Sequence, residues 1–114
     1  MARATTPFSG ITVLDFSRYL PGGYATQVLA DLGATVIKCE DTGAGDFMRH
    51  DYPTMGNGIS YYITALGRNK KSVSLNLKDQ EVVDWFLKMA KEADVIVESF
   101  RPGAVSYTHL RAHE

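Results

Sequence analysis

The chain contains a single cysteine, Cys39, and three histidines, two of which, His109 and His113, fall within its last six residues. One thiol can neither close an internal disulfide nor begin a cysteine-based metal cluster, and such usage suits a reducing compartment. A cytoplasmic location is therefore expected, and no metal site. No apolar run approaches the ~20 residues that span a bilayer. The first ten residues also lack the basic-then-apolar layout of a secretion signal. Neither sign of charge dominates, since 12 Lys+Arg stand against 13 Asp+Glu for a formal net charge of −1. A nucleic acid or an anionic membrane would call for clustered basic charge, so neither is expected as a partner.

Internal repeats and low-complexity stretches are absent too. What is present is enough for one core: 45% of the 114 residues are apolar and 11% aromatic. At this length about two thirds of the unfolded surface can be buried, which suits one domain and leaves no room for a second.

Residues 11–16, Ile-Thr-Val-Leu-Asp-Phe, are β-branched and apolar at strand length, and Pro21, Gly22 and Gly23 then read as a turn. Ala25, Val28, Leu29 and Leu32 recur at helical spacing from Tyr24 onward, with Gly33 placed as a left-handed stop. Residues 34–39 form a second strand, so the first forty residues read as a βαβ unit and imply a parallel sheet. The stretch from Glu40 to Asn57 has no sustained period and reads as a long loop. Residues 58–66 suit a short helix, and the alternation of Ser72, Val73, Ser74 and Leu75 suits a third strand at 71–76. Asp79 is placed to cap a further helix, with Glu81 in its first turn, Lys88 and Lys91 near its end, and a stripe of Val82, Phe86, Met89, Ala90 and Ala93. Residues 94–98 make a fourth strand, apolar enough to be buried on both faces. Strands alternating with helices predict an α/β fold with a Rossmann-like open parallel sheet.

In such a sheet ligands bind outside the carboxyl ends of the strands. Residues 17–23, 40–41, 75–78 and 99–103 occupy those positions, and they include the cations Arg18, Lys78 and Arg101. An anion, above all a phosphate, is a sensible guest for them. The G-x-G-x-x-G fingerprint of dinucleotide binding does not fit, because Gly22 and Gly23 are adjacent and no third glycine follows. Ser17 and Ser99 lie in no G-x-S-x-G elbow, and Cys39 sits in an apolar strand where an inert core thiol is expected. No catalytic constellation is readable within the chain.

The ordered blocks 10–22 (Gly-Ile-Thr-Val-Leu-Asp-Phe-Ser-Arg-Tyr-Leu-Pro-Gly), 30–46, 69–78 and 93–103 resemble the amino terminus of the family III CoA-transferases, a superfamily that also contains the α-methylacyl-CoA racemases. The likeness covers residues 10–105, which would form part of a larger CoA-binding domain after a leader of residues 1–9. It implies acyl-CoA and a carboxylic acid as substrates, no tightly bound cofactor, and a homodimer of interlocked rings. It maps CoA contacts onto Leu20, Pro21, Leu75, Leu77, Lys78, Ser99, Phe100 and Arg101. Asp41 stands where the family often has a basic residue, and an acid there is expected to repel the ligand. In the transferases a later Asp attacks the thioester to form an acyl-enzyme anhydride, and in the racemases a later His and Asp move an α-proton. Both lie beyond this chain's span, so no catalytic residue is expected within it. A nucleotide-binding α/β module without catalysis is the further alternative. After Val105 the family pattern asks for an Arg-Leu-Gly block, and residues 106–114 resemble a non-native tail instead; His109 and His113 are accordingly not read as a metal pair.

Overall fold

The computed structural model describes residues 6–43 and 45–100 of the chain, so Arg101 and the tail at 106–114 lie outside the described residues. Four short strands, β1 (Thr12–Phe16), β2 (Thr35–Glu40), β3 (Lys70–Ser74) and β4 (Val95–Glu98), pair in the order β3-β2-β1-β4. All three pairings are parallel, with Leu14 opposite Ile37 on one side and Ile96 on the other. Parallel neighbours need crossovers, and three helices supply them: α1 (Tyr19–Asp31), α2 (Tyr61–Leu66) and α3 (Gln80–Glu92). The expected open α/β sheet is therefore present.

Strand alternation divides the core in two. Leu14, Phe16 and Cys39 point to one face and pack with Leu75 and with Phe86 of α3. Val13 and Val36 point to the other and pack with Ala30 of α1 and with Ala34. A satellite of Met48, Ile63 and Leu66 joins α2 to a 3₁₀ turn at Phe47–His50. The α3 helix begins as read, Asp79 accepting the Glu81 N–H, and its buried face includes Val83 besides Phe86. Ser60 caps α2 by accepting the Tyr62 N–H.

Three expectations are corrected. The Pro21-Gly22-Gly23 segment is the first turn of α1 rather than a break before it. Proline is tolerated at the third helical position because its missing N–H would have no intrahelical acceptor there. Gly22 is required at its place by proximity, since a Cβ would collide with the side chain of Ser17. Gly33, with φ +107°, ends the helix as read.

The second correction concerns the face α1 buries. Of the expected stripe only Leu29 packs against the core; Ala25, Val28 and Leu32 are exposed, and Thr26, Gln27 and Ala30 are buried instead. The sheet surface beneath them explains this, because it carries Asp15, Lys38 and Lys70 and rewards a hydroxyl more than a methyl group. The third is β4, which lies at the edge of the sheet with Val95 39% and Ile96 44% exposed, not buried on both faces. Among the described residues no strand lies beyond it to cover them.

Candidate functional site

The turns after the strands converge on a cavity of about 710 Å³, within the size range of small-molecule sites. Phe16 and Arg18 enter from β1, Cys39 to Thr42 from β2, Leu75 to Lys78 from β3, Gln80 and Val83 from α3, and Phe100 from beyond β4. Its floor is apolar: Phe16 packs edge-on against Phe86 at 4.7 Å between centroids and lies 5.7 Å from Phe100. The turn after β3 is shaped by Asn76, whose Oδ1 accepts the Lys78 N–H at 3.1 Å and whose carbonyl accepts the Asp79 N–H at 3.0 Å. The Leu75 N–H is committed to the Glu40 carbonyl at 2.8 Å, so a ligand edge could not use that donor.

Of the eight residues to which the resemblance assigned ligand contacts, Leu75, Leu77, Lys78 and Phe100 come together on the cavity wall. Leu20 and Pro21 do not, since both are exposed in the first turn of α1. Ser99 acts from behind, its Oγ accepting the Arg18 N–H at 3.1 Å and so fixing the turn after β1 to the end of β4. Arg101 lies outside the described residues.

Cys39 is buried in the cavity wall, and burial, with the Asp15 charge adding to it and Lys38 opposing, pushes its thiol up to about 12. A thiol so raised is a poor nucleophile at neutral pH. Iodoacetamide at pH 8 is expected to leave Cys39 unmodified in the folded chain and to alkylate it in urea, as mass spectrometry would read. Rapid labelling without denaturant would contradict the inert reading.

A network of buried charge behind the sheet was missed in the sequence. Lys38 Nζ donates to Asp46 Oδ2 at 2.8 Å and to the Ser17 carbonyl at 3.4 Å. Asp15 accepts from Thr26 Oγ1 at 2.6 Å, from the Ser17 N–H at 2.8 Å and from the Ser17 hydroxyl. Lys70 Nζ lies 3.6 Å from Asp15 and donates to the Gly23 carbonyl at 3.0 Å. Above it Glu40 takes a two-toothed grip on Arg49, 2.6 Å to each nitrogen, and also accepts from the Asp46 N–H and Ser72 Oγ. Burial alone would raise the Glu40 carboxyl, but these donors outweigh it and hold the group down at about 2. Together Lys38 and Glu40 fasten the long loop after β2, through Asp46 and Arg49, to the strands that end at the cavity.

Asp41 is not a bare acid at the cavity rim. Its Oδ1 accepts the N–H groups of Gly43 and Gly45 at 3.1 Å each, and its Oδ2 lies 3.2 Å from Arg18. The charge expected to repel a ligand is thus largely answered within the protein.

Among the described residues no helix is long and apolar enough to cross a membrane. The sequence matches CoA-transferase family III over residues 8–114. It is 43% identical over 103 residues to a formyl-CoA:oxalate CoA-transferase of Escherichia coli, and equally to one of Shigella boydii. These alignments cover 90% of this chain but 25% of each relative, so the chain spans about a quarter of the length of the curated relatives it matches. Among solved structures, the fold superimposes on the hypothetical protein Rv3272 of Mycobacterium tuberculosis with a TM-score of 0.82 at 38% identity, covering 92% of this chain and 28% of that one. A CaiB/BaiF family protein of Brucella suis gives 0.84 at 32% identity, covering 94% and 29%. The match runs through every turn that borders the cavity, and the chain belongs to CoA-transferase family III.

Proposed function

We propose that this chain carries the amino-terminal, CoA-binding part of an enzyme that moves coenzyme A between carboxylic acids, and that the cavity at the strand ends receives the CoA portion of an acyl-CoA. The observation that carries the proposal is the meeting of Leu75, Leu77 and Lys78 from the turn after β3 with Phe100 from beyond β4 around one cavity. Lys78 offers a cation to a phosphate, and the aromatic and aliphatic side chains offer apolar surface to the adenine and the pantetheine arm. The relatives in Escherichia coli and Shigella boydii bear the name of a CoA-transferase, which favours transfer over racemisation.

In the proposed reaction a carboxylate elsewhere in the longer protein attacks the thioester carbonyl, forming an acyl-enzyme anhydride and expelling the CoA thiolate. The acceptor carboxylate then attacks the enzyme's carbonyl carbon and releases the donor carboxylate, and the thiolate attacks the acceptor's acyl carbon and releases the enzyme carboxylate. The role of the present chain is to hold the CoA thiolate in place between these half-reactions. The complete enzyme is proposed to work as an interlocked homodimer. Purified alone, the 114-residue chain should bind CoA and turn over no substrate.

Isothermal calorimetry with CoA and with NAD tests the reading. Saturable heat with CoA and none with NAD is expected. Heat with NAD alone, or with neither, would overturn it, and acyl exchange by the isolated chain would remove the claim that the attacking carboxylate lies elsewhere.

A further inference from the structure

The cavity rim carries four charged side chains, and they are not equally occupied. Glu40 has both oxygens engaged by Arg49, Asp46 and Ser72. Lys78 is exposed at the turn after β3. Arg18 is held differently: a single nitrogen meets Asp41 at 3.2 Å, its guanidinium lies 5.5 Å above the Phe47 ring, and its side chain remains 39% exposed. That distance is long for a charge-assisted bond, where about 2.8 Å is usual, and a guanidinium has five N–H donors to offer. Its backbone is fixed at the same time, through the N–H to Ser99 Oγ at 3.1 Å. The head group is therefore preplaced at the mouth and weakly held there.

We infer that Arg18 is a ligand-binding residue that exchanges Asp41 for a phosphate of the incoming CoA, with Asp41 as the positioning residue that presents the lightly held guanidinium. The inference rests on the CoA reading above and extends it to a residue outside the eight that the family resemblance pointed to. A phosphate takes the planar fork through two N–H groups, as a carboxylate does, and carries more charge than the Asp41 oxygen it displaces. Asp41 keeps its place when Arg18 leaves, because Gly43 and Gly45 still donate to its other oxygen. Phe47 offers the guanidinium a face to slide over during the exchange.

Calorimetric titration of the 114-residue chain with CoA, for the parent, Arg18→Gln and Asp41→Asn, decides it. Loss of the guanidinium should weaken binding about ten-fold, the worth of one charge-assisted contact. Asp41→Asn keeps an oxygen for the two glycine N–H groups and removes the one that competes for Arg18, so binding should tighten about three-fold. Damage to the fold cannot produce that second result. Unchanged affinity in Arg18→Gln, or weakened affinity in both variants, would make the pair a structural strut and overturn the inference while leaving CoA binding intact. Failure of the parent chain to bind CoA would instead overturn the reading beneath it.

Discussion

Lys38→Met should destabilise the chain by about 3–5 kcal/mol, the usual cost of stranding one member of a buried ion pair. The side chains of Lys38 and Asp46 are 4% and 1% exposed, and their 2.8 Å contact is accompanied by a bond from Lys38 to the Ser17 carbonyl. Removing the ammonium takes the 2.8 Å ion-pair contact from buried Asp46 and leaves Lys70 as the cation beside Asp15. A domain of this kind has only about 5–15 kcal/mol to lose, so the substitution should carry it most of the way to unfolding. Urea denaturation followed by circular dichroism measures the shift. The charge argument makes a sharper demand through the double variant. Asp46→Asn still offers an oxygen to the Met48 N–H, which Asp46 now caps at 3.0 Å, but needs no cation. Added to Lys38→Met it should recover a large part of the loss, a coupling visible in a double-mutant cycle. If the two substitutions simply add, the pair is not what holds this region.

That network marks the boundary of what could be read in the sequence. Three of the strands were legible as β-branched or apolar runs of strand length, β3 through the alternation of Ser72, Val73, Ser74 and Leu75, and α3 because its stripe and Asp79 cap agree. Lys38, by contrast, sits in Val36-Ile-Lys-Cys39, where period-two reading places it on the face of Val36 without saying what covers that face. Its partner is eight residues away in a loop, and the contact exists only once the loop folds back. The same blindness displaced most of the reading of α1. Apolar periodicity picked out Ala25, Val28, Leu29 and Leu32 as the buried stripe; of these Leu29 packs against the core, whereas Thr26 is buried because Asp15 is there to receive its hydroxyl. Polar matching across a sheet face leaves no periodic signal.

The site was legible to a similar depth. The rule that ligands meet the carboxyl ends of parallel strands brought out the turns containing Arg18 and Lys78, and both side chains border the cavity. Leu20 and Pro21 fall outside the cavity lining for the same cause that moved the helix start: once Tyr19 begins α1, the next two residues are exposed in its first turn. Asp41 looked like an isolated acid in the sequence, and a single residue cannot reveal that Arg18, 23 positions earlier, will lie against it.

Phe86→Ala should cost about 3–5 kcal/mol, since a whole aromatic ring is deleted from a site that cannot close over the gap. Phe86 is 0% exposed, meets Phe16 at 82° between ring planes, and shares its cluster with Leu14, Cys39 and Leu75. The edge-to-face contact adds about 0.5–1.5 kcal/mol beyond area burial. Loss of the ring should also reach the ligand site, because Phe16, Cys39 and Leu75 are at once its packing partners and the floor of the cavity. Phe86→Leu separates the two effects. It restores most of the volume without the ring edge, so the urea midpoint should return most of the way while Phe16 remains without its perpendicular partner. CoA affinity in that variant then reports how far the ring orientation of Phe16 shapes the floor. A Phe86→Ala unfolding free energy within about 1 kcal/mol of the parent would mean that α3 is not seated on the sheet through this residue, and that the cavity floor is held by something other than the Phe16–Phe86 pair.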